Sequence, residues 1–237
     1  MATLALQNTE FGLPGLALAR IESLEVLPGE VVALVGRSGL GKTTILRTIQ
    51  GQHEPMGGAI TFDGRERPQD WRVRHTALTQ QHFPLFHWLT VRENLALAAK
   101  VRRVPEANLD QLLEQFSASA FADRFPGRLS GGERCRASLA QAAIADPEFL
   151  LLDEPFSGLD SLTKDDIART ILSFSRERKI GVLLVTHDLH DVVGLADRAL
   201  VLRGPGVAKV AAVVDSHAAG ALEQMRNALR AETMGSV

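Results

Sequence analysis

Val31-Val32-Ala33-Leu34-Val35-Gly36-Arg37-Ser38-Gly39-Leu40-Gly41-Lys42-Thr43-Thr44 decides the fold of this chain. The first five residues form a continuous apolar run, which predicts a strand buried on both faces. A glycine-rich turn follows, and then a predicted helix from about Lys42 to Gln50. Gly36 to Thr43 reads G-x-x-x-x-G-K-[ST], in the strand-to-helix context that gives this pattern its meaning. Glycines let backbone N–H groups turn inward around phosphate oxygens, and the helix N-terminus adds about half a positive charge. We expect Gly36, Arg37, Ser38, Gly39, Leu40, Gly41, Lys42, Thr43 and Thr44 to hold a nucleotide's phosphates. Lys42 should reach the β- and γ-phosphates, and the Thr43 hydroxyl should ligate Mg²⁺.

Two later segments narrow the class. Phe149-Leu150-Leu151-Leu152-Asp153-Glu154 is an apolar strand ending in paired carboxylates. Asp153, leaving a buried strand beside the phosphate loop, is placed to hold Mg²⁺ directly or through water. Glu154 is placed to polarise the attacking water, a general-base role worth roughly 10²–10⁴-fold. Upstream lies Leu129-Ser130-Gly131-Gly132-Glu133-Arg134. A serine hydroxyl and two glycine amides opening a helix make a second anion site.

The remaining sequence surrounds these segments with alternating elements. Thr3 to Phe11, Leu16 to Val26 and the stretch Gly57 to Gly64 read as strands between turns. From about Val91 to Phe125 the apolar spacing is helical. Strands are expected at Phe149–Asp153, Gly181–Thr186 and Ala199–Leu202, with helices near Glu133–Ala145, Leu162–Arg178 and Leu189–Leu195. Leu222, Met225 and Leu229 mark one short helix after Asp215. The alternation points to an α/β fold, a parallel-sheet core with an inserted helical segment. The resemblance of Gly36–Thr43 to the loop of P-loop NTPases implies a RecA-like core with a parallel sheet, an N-terminal antiparallel β subdomain and an inserted α-helical subdomain. One domain should span 1–237, with core and β subdomain at 1–81 and 135–237 and the helical subdomain at 82–134.

The chain has 237 residues, 45% hydrophobic, with a formal net charge of −2. That balance gives no reason to expect a nucleic-acid partner. Cys135 is the single cysteine, which excludes an intrachain disulfide, and we read it as a helix residue without redox work. No apolar run approaches the ~20 residues needed to span a bilayer, and no signal peptide is recognisable.

Taken together, these motifs resemble those of the ATP-binding subunit of an ATP-binding-cassette (ABC) transporter, and the likeness runs from about residue 4 to 214. The resemblance implies that Ser130, Gly131 and Gly132 contact the γ-phosphate of ATP bound to another subunit. Two phosphate-binding helix starts on one chain then suggest a head-to-tail homodimer closing on two Mg·ATP. It further implies that Gln81 is the family's Q-loop glutamine, a catalytic and Mg²⁺-binding residue, counted back from Leu89-Thr90-Val91-Arg92-Glu93-Asn94, with Gln80 the competing assignment. Asp160, in Ser157-Gly158-Leu159-Asp160, resembles the loop that crosses the dimer interface, and His187 resembles the switch histidine that senses the γ-phosphate. Phe11 is the candidate to stack on adenine, since the chain has no tyrosine; a core strand position is the alternative. Leu40 fills a loop position that the family more often gives to a small residue.

The function so implied is ATP hydrolysis driving solute movement through integral-membrane permease subunits, at the cytoplasmic face of a prokaryotic cell membrane. A solute-binding protein would complete an importer. Leu159–Lys164 and Ala196–Leu202 are similar to importers of the nitrate, sulfonate and taurine type. Phe83 to Trp88, rich in large apolar groups, is either a docking surface for a permease helix or part of the helical core. The rival class is a soluble cassette ATPase in DNA repair or translation. The short interval between Thr44 and Leu129, without heptads or zinc-spaced cysteines, speaks against it.

Overall fold

A computed structural model describes residues 2–66, 75–80, 84–104 and 108–230. Strand β3 (Val31–Val35) is buried at every position. Val31, Ala33 and Val35 face one core, while Val32 and Leu34 face another. An apolar side chain at every position is what a strand covered on both faces requires.

Around β3 the parallel strands are β8 (Gly181–Thr186), β9 (Arg198–Arg203), β7 (Phe149–Asp153) and β6 (Thr76–Thr79). β1 (Leu4–Leu13), β2 (Leu16–Val26), β4 (Gly57–Phe62) and the short β5 (Arg65–Glu66) pair antiparallel. The two groups join through β10 (Ala208–Asp215), antiparallel to β9 and parallel to β2 at Ala208↔Ala19 and Lys209↔Arg20. The described strands thus form one sheet, ordered β5-β4-β1-β2-β10-β9-β3-β8-β7-β6.

Helix α1 (Lys42–Gln50) lays Ile45, Leu46 and Ile49 on the core it shares with β1 and β2. On the opposite face lie α2 (Val91–Arg102), α3 (Leu109–Gln115), α4 (Gly131–Ala143), α5 (Ser161–Arg178), α6 (Leu189–Val193) and α7 (Ala221–Arg230). The helical stretch expected over Val91–Phe125 is broken. Arg103 ends α2 in the left-handed region, at φ 57°, and two 3₁₀ turns follow α3 at Ser119–Phe121 and Pro126–Arg128. Because β3, β7 and β8 run parallel, their C-terminal ends open on one side of the sheet. That is where open α/β sheets bind ligands.

Candidate nucleotide site

Gly41 opens α1 in the left-handed region, at φ 80°, and the helix start receives no side-chain cap. By contrast Thr90, Ser130 and Asp160 cap α2, α4 and α5 with their side chains. The first amides of α1 therefore face the loop uncommitted, as an anion site needs. Gly41 is also required sterically, since a Cβ there would sit 2.8 Å from the Leu18 Cβ. Lys42 bends back and donates from Nζ to the carbonyl oxygens of Gly36 at 2.8 Å and Arg37 at 2.9 Å. Burial lowers its pKa, opposed by the charges of Glu154 and Asp153. A pocket of about 390 Å³ lies over the loop, walled by Leu18, Ser38, Gly39, the start of α1 and Glu154.

From the end of β7, Glu154 walls this pocket and Asp153 reaches the Thr43 side chain. The Thr43 hydroxyl donates to Asp153 Oδ1 at 3.2 Å. Burial raises the Asp153 pKa, and the Thr43 hydrogen bond with the charges of Arg47 and Lys42 pulls the other way. A divalent cation would favour the ionised form. Hydroxyl and carboxylate oxygens are the hard donors Mg²⁺ prefers, and it is commonly held by one or two protein ligands plus phosphates and water. Among the described residues no group of three or more His, Cys, Asp or Glu is placed to hold a metal by itself. The donor set fits an ion that arrives with a nucleotide.

Glu154 leaves β7 at φ 48°, its N–H donating to the Val185 carbonyl of β8 at 2.9 Å. From the end of β8, His187 brings Nδ1 to 3.0 Å from Glu154 Oε1. Lys42, Thr43, Asp153, Glu154 and His187 are thus gathered by three adjacent parallel strands.

Ser130 to Gly132 form a second constellation. The Ser130 hydroxyl accepts from the Glu133 N–H at 3.2 Å, and Glu133 Oε2 accepts from the Ser130 N–H at 2.7 Å, closing a capping box. That Ser130 N–H, with Arg124, holds the Glu133 pKa below the ordinary carboxylate range. A Cβ on Gly132 would lie 2.5 Å from Thr163 Cγ2, and one on Gly131 would lie 2.9 Å from Leu159 Cδ2. The two glycines therefore seat the start of α4 on the Ser157–Asp160 loop and the first turn of α5. Asp160 accepts from the Thr163 N–H at 3.0 Å and its hydroxyl at 2.7 Å, fixing that turn. These bonds hold the exposed Asp160 carboxyl below its usual pKa.

The sequence model of the family described as ABC transporter matches residues 20–157. The chain belongs to this family. Its relatives include sulfate/thiosulfate import ATP-binding protein CysA of Mycobacterium tuberculosis H37Rv, 40% identical over 199 residues. The match covers 81% of this chain and 56% of that protein. The protein of the same name in Pseudomonas aeruginosa is 38% identical, over 76% of this chain and 57% of its own length. The chain thus spans a little over half the length of these relatives. A solved structure described as an ATP-binding subunit of an ABC transporter superposes with a TM-score of 0.78 at 26% identity, covering 95% of this chain and 98% of that one. A dimeric cassette in a post-hydrolysis state, bound to ADP and Pi, shares the fold at a TM-score of 0.76 and 24% identity. The cassette's mixed sheet and phosphate loop are those of its family.

Not every expected residue reaches the site. Phe11 is a correction: it is 0% exposed in the core beneath the hairpin, opposite Ala19, and offers no ring face to a base. Phe11→Leu is expected to lower stability by about 1–3 kcal/mol, leaving ATP affinity and ATP-over-GTP preference unchanged in parallel melting and nucleotide titrations. Leu18 is the apolar side chain at the pocket instead. As an aliphatic strand residue it carries no chemical signature. From its loop position the Leu40 side chain packs on the hairpin core. Gln81 lies outside the described residues; Gln80 is exposed at the end of β6. Cys135 is buried, its thiol donating to the Pro155 carbonyl and its pKa pushed up to about 12 by burial. A thiol so protonated is a poor nucleophile.

Proposed function

We propose that this chain is the ATP-binding and ATP-hydrolysing subunit of an ABC importer. Two copies would close head to tail on two Mg·ATP at the cytoplasmic face of a prokaryotic membrane. Permease subunits and a solute-binding protein would be the partners. The observation that carries this reading is an uncapped, lysine-bearing helix start sharing one pocket with Glu154, whose carboxylate His187 meets. Among the described residues no helix is long and apolar enough to cross a membrane.

In this reading the amides of the Gly36–Thr44 loop and Lys42 hold the β- and γ-phosphates. Lys42 would exchange two carbonyl partners for phosphate oxygens. Thr43 and Asp153, together with Gln81, would hold Mg²⁺, which neutralises charge on the phosphates when bound. Glu154 would orient and deprotonate a water for in-line attack on the γ-phosphate. His187 would steady the Glu154 carboxylate and the γ-phosphate from the end of β8. Ser130, Gly131 and Gly132 of the opposing subunit would donate to the same phosphate, with Asp160 crossing the interface. Arg37, Ser38, Gly39 and Thr44 would complete the cradle. One cassette domain would carry these parts, with its core at 1–81 and 135–237 and its helical part at 82–134.

Coupling to a permease would run through the exposed aromatics before α2. Phe86 is 41% and Trp88 60% exposed, with ring centroids 5.1 Å apart, and His87 meets Trp88 edge-on at 4.6 Å. Buried Asn94 clamps the segment, accepting from the Phe86 N–H at 2.7 Å and donating to the carbonyls of Phe86, Leu89 and Thr90. Rings held outward by a rigid backbone suit an anchor for a partner helix. Trp88→Ala should weaken assembly with the permease by roughly thirtyfold while leaving ATP affinity intact. Unchanged co-purification and unchanged transport coupling would remove this surface from the scheme.

The cargo we propose is a small oxyanion, within which the nitrate, sulfonate and taurine type is the finer reading. The names of the relatives, import of sulfate and thiosulfate, support the broader class. Reconstituting the assembled complex and measuring which oxyanion stimulates ATP turnover tests both levels. Stimulation only by a sugar, an amino acid or a peptide would overturn them.

A further inference from the structure

A charged cluster binds the start of α5 to the loop that carries His187. Lys164, on the first turn of α5, donates from Nζ to Asp188 Oδ2 at 3.0 Å and to Asp191 Oδ1 at 2.8 Å. The other oxygen of Asp191 accepts from the Thr186 hydroxyl at 2.9 Å, and that hydroxyl accepts from the Asp188 N–H at 3.0 Å. His187 lies between Thr186 and Asp188, so both its neighbours are held by one network. The network sits at a groove of about 300 Å³ lined by Phe156 and Leu159. These polar bonds add to the pairing of Thr186 with Val35 in fixing the turn that follows β8. On its other side the same turn of α5 meets α4, where Thr163 packs on Gly132.

We propose that Lys164 is a positioning residue: its ion pairs with Asp188 and Asp191 hold His187 against Glu154, and tie that contact to the seating of α4. The reading rests on the proposed roles of His187 and Glu154 in ATP hydrolysis. Adjacent residues of one helix then link the two constellations of a subunit. Thr163 meets the glycines that would face the partner's ATP, and Lys164 meets the loop serving its own. Without the ammonium, Asp188 and Asp191 would face each other uncompensated beside Thr186, and the loop would lose its fixed geometry.

Lys164→Met keeps the aliphatic stem and removes the charge; Lys164→Arg keeps the charge. The full chain would be studied in two ways. In the nucleotide-free chain, the His187 Cε1–H NMR signal, assigned by its loss in His187→Gln, should shift or broaden in Lys164→Met and return in Lys164→Arg. The His75 signal should stay in place. In the complex assembled with its permease, Lys164→Met should lower kcat roughly tenfold, as loss of a charge-assisted hydrogen bond would, with KM for ATP within about twofold. Lys164→Arg should recover most of the rate. An unmoved His187 signal would overturn the proposal, as would a destabilised Lys164→Met that keeps its kcat. Failure of the wild-type complex to hydrolyse ATP would instead overturn the functional reading, while the NMR comparison would still decide whether Lys164 positions His187.

Discussion

Glu154→Gln is expected to bind ATP with near-normal affinity and to hydrolyse it about 10²–10⁴-fold more slowly. The substitution keeps side-chain length and shape, and the backbone bond from the 154 N–H to Val185 is indifferent to it. It also preserves the left-handed backbone at φ 48°, which replacement by glycine would relax. What it removes is the basic oxygen 3.0 Å from His187 Nδ1. Single-turnover kinetics with radiolabelled ATP would give the rate, and gel filtration would show whether an ATP-loaded dimer accumulates. Turnover close to that of the wild type would remove Glu154 as the base.

Lys42→Met should weaken ATP and ADP binding by roughly 100-fold, the size expected for a charge-assisted hydrogen bond lost in a shielded site. Adenosine, which carries no phosphate, should bind equally to both proteins. Stability should change little. The variant loses the bonds to Gly36 and Arg37, but it also relieves the burial that lowers the Lys42 pKa. Calorimetric titration with the three ligands separates these effects. An ATP affinity within threefold of the wild type would show that the phosphates lie elsewhere.

Those elements whose identity is local were readable from the residues. β3 announces itself through an unbroken apolar run, and the phosphate loop through glycines that a left-handed backbone and the nearby Leu18 both demand. β6 was not readable. Thr76–Thr79 is a strand because it pairs in register with Phe149–Leu152, a partner far away in sequence. β10 was missed for a related reason, since its role is to join the two halves of the sheet. The 3.6-residue spacing of Val91–Phe125 gave helices but hid their breaks, where Arg103 and Ser117 take positive φ without a glycine to mark the place. At the site, Phe11 shows the limit from the other side: residue type suggested a stacking partner, and packing buried it. The Lys164–Asp191 pair joins two helices, and no spacing rule connects its members.

The cap on α4 has a further consequence. A serine hydroxyl has one proton and two lone pairs, and the Glu133 N–H occupies only one lone pair of Ser130. The proton stays available, as do the amides of Gly131 and Gly132, which have no partner inside the helix. This end of α4 is therefore held shut and still able to donate, before anything approaches it. In the proposed head-to-tail dimer it could meet the nucleotide-bearing loop of a second copy as a rigid body, without a helix end having to order on contact. Their association should accordingly be set by encounter and orientation, with no slow folding phase following it.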